Sequence, residues 1–250
     1  MSQGEWFKSL DSELREALVR NSRVVRVDAR ASSQVLCMAV RGSLYCVVKG
    51  GAKLSKALPS GRKLAIDLME PGAWFSVGPC SDDSVQRYAI ESRGELVLLV
   101  VDQHEFQLLR IMYPLLVPAL STLHERMVYR LGEMLEELHD MTLAARIVRR
   151  LSSIAQRFGV PCAAGLRLGI PLSQQDLADL TGSSRQRVNV EIKTLERRGL
   201  LRVILGQLEL QHPLSAWRVL AAAAIVELPR QQAEAHNGER HPSMAYPTTA

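Results

Sequence analysis

The sequence predicts an α+β chain in three parts: a β-rich N-terminal region, one long helix, and a C-terminal winged helix-turn-helix. Three observations carry this. Short β-prone runs punctuated by Gly, Pro, Ser and Asp recur from Val24 to about Val101. Leu and Met then repeat at helical spacing from Leu116 to Met141. Finally, the block from Thr142 to Gly206 holds 11 Lys/Arg against 4 Asp/Glu, whereas the remainder holds 20 against 22. One segment thus carries the whole positive excess, the footprint of a polyanion-binding module on a near-neutral body.

Composition sets the outer bounds. With 250 residues, 47% hydrophobic and 23% charged, the chain has enough apolar material for one large or two modest domains, which excludes wholesale disorder. Its longest apolar stretches, Val97 to Val101 and Val219 to Val226, are too short to span a bilayer, so no membrane partner is expected. The opening MSQGEWFKSLDSELRE lacks the basic-then-apolar order of a secretory signal, which points to a cytoplasmic location. Cys37, Cys46, Cys80 and Cys162 are scattered without a CxxC pair, the pattern of reduced structural thiols.

Taken in order, Glu5 to Arg20 reads as an amphipathic helix with Trp6, Leu10, Leu14 and Leu18 on one face and Asp11 as a candidate N-cap. The runs VVRV, VLCMAV, SLYCVV, KLAIDLM, RYAIES and ELVLLVV then suggest a sandwich or barrel of short strands. Beyond Pro114 and Pro118, the apolar residues Leu116, Leu120, Leu123, Met127, Leu131, Met134, Leu138 and Met141 fall at spacings of three and four. A helix of roughly 24 residues with that stripe could lie on the β region. Its charged flanks, including Glu125, Arg126, Arg130, Glu133, Glu136 and Glu137, favour a coiled-coil dimer seam instead. LAARIVRRLSSIAQRFG follows as a second amphipathic helix ended by Gly159 and Pro161. The tail from Leu228 to Ala250 is polar and is expected to be disordered.

The informative block is IPLSQQDLADLTGSSRQRVNVEIKTLERRGLLRVILGQLELQ. Ser173 and Asp176 read as a capping-box start, and Leu177, Ala178 and Leu180 as a buried face. Gly182 permits the positive-φ turn into a second helix beginning near Ser183 or Ser184. That helix buries Val188, Ile192 and Leu195, leaving Arg185, Gln186, Asn189 and Lys193 outside. In a helix-turn-helix, such N-terminal residues face base edges in the major groove. After Gly199, two β runs about Gly206 have the shape of a wing. The same geometry also serves protein docking, so a module that docks an acidic partner is the alternative. No nucleophile–base set, metal cluster or phosphate loop is visible, and Gly50-Gly51 precedes AKLSK rather than GxxxxGK[ST], so the chain reads as no enzyme.

On these residues the chain resembles the Crp/Fnr family of bacterial transcription regulators. The match is most specific in LSQQDLADLTGSSRQRVNVEIKTLERRGLL and weaker in SLYCVVKGGAKLSKALPSGRKLAIDLMEPGAWFS, which is similar to the family's cyclic-nucleotide-binding-type jelly roll. The resemblance implies a sequence-specific, double-stranded-DNA-binding homodimer on a palindromic site, with RNA polymerase as a further partner. It implies base reading by Arg185, Gln186, Asn189 and Val190, and phosphate contact by Ser173, Gln175, Ser184, Arg187 and Lys193. The dimer helix would present Leu120, Leu123, Met127, Leu131, Met134 and Leu138. Gln186 and Val190 match neither the cyclic-AMP branch nor the Fnr branch, so a distinct half-site is expected.

The effector pocket departs further. Val77, Gly78 and Pro79 stand where cyclic-nucleotide-binding members carry Gly-Glu-Leu, and Arg87 is followed by Tyr88 rather than Ser. Leu131 and Gly132 occupy the places that offer adenine-binding hydroxyls. Gly78, Arg87, Tyr88 and Leu131 therefore mark a pocket poor in the partners cyclic AMP requires. There is no cysteine before Cys37 for an Fnr-type cluster, and His104, His124 and His139 are isolated, so no cofactor or metal is expected. The organisation expected is a β-roll sensor over 1–113, a dimer helix over 114–141, a DNA-binding domain over 142–227 and a tail over 228–250.

Overall fold

A computed structural model of the chain describes residues 3–28, 35–36, 42–76, 88–204 and 207–226. The predicted N-terminal helix is two helices, α1 (Gln3–Ser9) and α2 (Ser12–Arg20). Asp11 separates them because its carboxylate accepts the Leu14 amide at 2.7 Å, capping α2. Trp6, Leu10, Leu14 and Leu18 all turn inward, as their spacing predicts.

Strands β1 (Arg23–Val27), β2 (Val35–Leu36), β3 (Leu44–Ala57), β4 (Lys63–Met69), β5 (Trp74–Ser76) and β6 (Tyr88–Val101) form one antiparallel sheet in the order β1-β6-β3-β4. Within it, β2 pairs with β6 and β5 with β3. Two expectations are corrected here. SLYCVV continues through KGGAKLSKA as one 14-residue strand, and RYAIES joins ELVLLVV in another. The Gly residues read as strand breaks are bulges: the β3–β6 register slips between Val47 and Gly51, and Gly50 takes φ +84°. A Cβ at Gly50 would lie 1.9 Å from the Glu95 carbonyl, so only glycine fits.

Helices α3 (Gln103–Met112) and α4 (Leu116–Asp140) follow, then α5 (Leu143–Phe158), N-capped by Thr142. Beyond α5 the chain forms a hairpin of β7 (Gly159–Cys162) and β8 (Gly165–Leu168). After α6 (Gln174–Thr181) and α7 (Arg185–Arg197) come β9 (Leu201–Ile204) and β10 (Gln207–Leu210), completing a second sheet ordered β7-β8-β10-β9. A final helix α8 (Leu214–Val226), which the sequence does not announce, buries Trp217 against α5. Its short apolar run shows little amphipathic pattern to distinguish helix from strand.

Two cores sit inside the N-terminal region, one within the roll around Val47, Leu54 and Leu98, the other under α1 and α2 around Trp6, Leu44 and Phe106. A third core belongs to the C-terminal region, yet it takes in Ala65 and Leu68 from β4. The β-roll and the helix-turn-helix therefore share apolar packing, and burial of those side chains resists their separation.

Candidate nucleic-acid interface

The helix-turn-helix forms because each end of its helices is chemically specified. Ser173 Oγ accepts the Asp176 amide at 3.1 Å while the Asp176 carboxylate accepts the Ser173 amide at 3.0 Å, a complete capping box. Gly182, at φ +64°, supplies the left-handed turn. Ser184 then caps α7 through the Arg187 amide. Val188, Ile192 and Leu195 are buried as expected, which presents the opposite face of α7 to solvent.

On that face Arg185, Gln186, Arg187, Val190 and Lys193 are exposed, and Asn189 is half-buried. The Asn189 Oδ1 accepts a hydrogen bond from Gln174 Nε2 at 3.0 Å. Three of the expected phosphate contacts have partners within the protein: Ser173 Oγ donates to Asp176 at 2.8 Å, Gln175 Nε2 donates to Asp179 at 2.8 Å, and Ser184 Oγ accepts the Arg187 amide at 3.4 Å. Arg146 on α5 sits beside the turn, donating to the Thr181 carbonyl at 3.1 Å. Burial, and next the charge of Arg187, lower its pKa. Cations therefore concentrate at the entrance to α7, where unpaired helix N–H groups already favour an anion. The strands β9 and β10 stand alongside as the wing, with Arg202, Val203 and Ile204 exposed. Its tip at Leu205 and Gly206 lies outside the described residues.

Gly78 and Arg87 lie outside the described residues, Tyr88 packs at the start of β6 with the Lys56 ammonium 5.2 Å from its ring centre, and Leu131 is half-buried on α4. The cavity between roll and long helix is lined by Leu54, Ile66, Asp67, Phe75, Met127 and Arg130, among others, and measures about 60 Å³. Asp67 is paired with Arg130 of α4 and, at 3.1 Å, with Arg157 of α5. Burial lowers Arg130 to about 10, the charge of Arg157 adding to it.

The stripe expected to form the dimer seam faces two ways. Leu120 and Met134 are buried inside the protomer, and Leu123 and Met127 are half-buried against its own β-roll cores. Only Leu138 and half-buried Leu131 turn outward, where they join Val128 and Leu135, exposed by 69% and 67%.

Sequence reading misses a buried ionic cluster joining the β-roll to α6. Lys53 Nζ lies 2.7 Å from Asp179, 3.0 Å from Asp176 and 3.3 Å from Glu91; Arg93 pairs with Glu91 at 3.1 Å and with Asp176. Lys63 and Ser55 complete it, at 3.1 and 2.8 Å from Glu91. No local pattern signals it: alternation along β3 puts Lys53 on the face opposite the core residues Ala52 and Leu54, where a lysine reads as solvent-facing.

A capped helix, a glycine turn, a basic exposed second helix and a wing make up a winged helix-turn-helix, the module of DNA-binding transcription regulators. Residues 145–213 match the family model described as a Crp-like helix-turn-helix domain. The chain is 25% identical over 160 residues to a CRP-like cAMP-activated global transcriptional regulator of Mycobacterium tuberculosis H37Rv, covering 64% of this chain and 71% of that protein. It is 27% identical over 180 residues to the global nitrogen regulator of Nostoc sp. PCC 7120, covering 70% and 79%. Among solved structures, a CRP-family regulator from Thermus thermophilus superposes with a TM-score of 0.63 at 22% identity, over 80% of this chain and 98% of that one. FixK2 from Bradyrhizobium japonicum gives 0.64 at 18%, over 80% and 96%. Residues 145–213 thus match a Crp-like helix-turn-helix domain, and over most of its length the chain is similar to DNA-binding transcription regulators of the Crp/Fnr type, which are not enzymes. No helix among the described residues is long and apolar enough to cross a membrane.

Proposed function

We propose that this regulator acts in the cytoplasm as a homodimer on a palindromic DNA site, reading bases with Arg185, Gln186, Asn189 and Val190. Ser184, Arg187 and Lys193 contact phosphates, joined by Ser173 and Gln175 when DNA draws them from their internal partners. The observation that carries this is the exposed, basic N-terminal half of α7, held outward by the burial of Val188, Ile192 and Leu195. Phosphate contacts supply affinity and register, and base edges supply choice.

Dimerisation proceeds through α4, over the outward seam Val128, Leu131, Leu135 and Leu138, whose spacings of three and four suit a coiled coil. Recognition helices would then enter successive major grooves about one turn, roughly 34 Å, apart. The functional segments are those of the sequence: sensor 1–113, dimer helix 114–141, DNA-binding 142–227 and tail 228–250. RNA polymerase is the further partner.

Cyclic AMP is not the effector. Val77, Gly78 and Pro79 replace the Gly-Glu-Leu of cyclic-nucleotide-binding members, Leu131 and Gly132 offer no hydroxyl, and the carboxylate of the roll cavity, Asp67, is engaged by two arginines. The test is selection of bound sequences from a random duplex pool by ligand-free protein, then titration of the winner at several salt concentrations. Recovery of a palindrome with a steep salt dependence is the expected result. Enrichment of no sequence, with tight binding to an acidic protein, would point to the docking alternative.

A further inference from the structure

Gln174 is the first residue of α6 and Asn189 the fifth of α7, so the hydrogen bond between their amides bridges the two helices of the motif. It runs in a defined sense, with the Gln174 nitrogen as donor and the Asn189 oxygen as acceptor, at 3.0 Å. An asparagine reads adenine by accepting from N6–H and donating to N7, which requires both ends of its amide to face one base. With Oδ1 drawn to Gln174, the amino group is the end left for DNA. Guanine presents two acceptors, N7 and O6, along its major-groove edge; adenine presents one acceptor and one donor, and cytosine a donor.

We propose that Gln174 is a specificity-positioning residue that makes Asn189 a donor-only reader, selecting guanine over adenine and rejecting cytosine at the base it faces. This rests on Asn189 contacting a base, as proposed above. Gln174 need touch no base itself.

The experiment compares the four possible bases at the Asn189 position of the selected half-site, using the full chain and its Gln174→Ala, Gln174→Glu and Asn189→Ala variants. The unaltered protein should favour guanine over adenine there by on the order of tenfold, the discrimination of a good direct contact. Glutamate can only accept, so Gln174→Glu captures the Asn189 amino group and turns Oδ1 outward. Preference should then move to the donor-bearing bases, cytosine or adenine. The added negative charge weakens every sequence alike and cancels in the ratio.

Gln174→Ala frees the amide and should recover adenine. Both substitutions leave the Ser173–Asp176 capping box in place, and alanine and glutamate suit a helix start, so folding is retained. A native preference for adenine overturns the proposal. So does an unchanged preference in both Gln174 variants when Asn189→Ala alters it. If Asn189→Ala changes no preference, the base-reading assignment itself fails and the proposal falls with it.

Discussion

Lys53 on β3 and Asp179 on α6, 126 residues apart in sequence, meet at 2.7 Å with both side chains buried where the β-roll abuts the helix-turn-helix. Asp176, which caps α6 from within, is also a partner of Lys53 and Arg93, so the same carboxylate that starts the helix docks it. Lys53, Lys63 and Arg93 against Glu91, Asp176 and Asp179 make a cluster whose formal charges cancel. A buried cluster of this kind adds little or nothing to stability beyond apolar packing of the same volume, but removing one member leaves uncompensated charge in a low-dielectric site. It ties α6 to the β-roll beside their shared apolar packing.

Lys53→Met should therefore cost about 3–5 kcal/mol in denaturant unfolding, the range for breaking a buried pair. Adding Asp179→Leu to it should return part of that loss, because the second substitution removes one of the stranded charges. A double variant less stable than the single one would show that the cluster contributes more than charge compensation.

The same cluster makes stability depend on acid. Burial alone would raise the Glu91 pKa, but hydrogen bonds from Ser55 and Lys63 and the charge of Lys53 outweigh it and hold Glu91 at about 2, below its ordinary 4.5. Asp176 is also lowered: burial opposes this, and Arg93 and Lys53 overcome it. A carboxylate with a depressed folded pKa contributes stability that is present above its unfolded pKa and lost as pH falls through the folded one. Unfolding free energy should thus decline from about pH 4.5 towards pH 2. In Glu91→Gln that decline should be shallower, measured by urea titration at each pH.

Much of this architecture is readable because it follows local rules. Ser173, Gly182 and Ser184 announce their turns by residue type, and Val188, Ile192 and Leu195 announce the buried face of α7 by spacing. The strands are legible but read too short, because Gly50 and Gly94 punctuate a sequence in the same way whether they end a strand or bulge it. The cluster at Lys53 is invisible because its members come from three distant segments, and no local pattern pairs them. For the same reason periodicity shows that α4 has an apolar stripe but not which neighbour covers each residue. Leu120 and Met134 match the heptad as well as Leu138 does, yet they are buried within the protomer.

The Gly182 turn can be tested by a single methyl group. A Cβ there would lie 2.8 Å from Leu138 Cδ2, the yielding end of a side chain, so the main cost is the left-handed backbone, about 1–2 kcal/mol. Gly182→Ala should lower the thermal midpoint and weaken DNA binding together, since α6 and α7 diverge at this residue. Gly61→Ala, also at positive φ but with open space around it, should lower stability without reducing affinity for DNA.

The division of the α4 stripe predicts opposite outcomes for two similar substitutions. Leu135→Lys places charge on the exposed seam and should yield a folded monomer by sedimentation equilibrium. Leu120→Lys, at a site 6% exposed within the protomer, should lose the fold itself, seen by circular dichroism. A Leu135→Lys protein that stays dimeric would move the interface off this face.

Two arginines two residues apart on α7 separate the roles assigned to its surface. Arg185 opens the helix and Arg187 is the residue whose amide Ser184 caps; both are exposed. A guanidinium that grips guanine O6 and N7 contributes about 1–3 kcal/mol at one base pair, whereas one that neutralises a phosphate contributes to every sequence and to the salt slope. Arg185→Ala should relax choice at a single position while retaining binding to the altered sites. Arg187→Ala should weaken all sites equally and reduce the slope of log affinity against log salt by about one. Fluorescence anisotropy on a panel of single-substituted half-sites at three salt concentrations distinguishes the two effects. A uniform loss in Arg185→Ala, or a base-dependent one in Arg187→Ala, would exchange their roles.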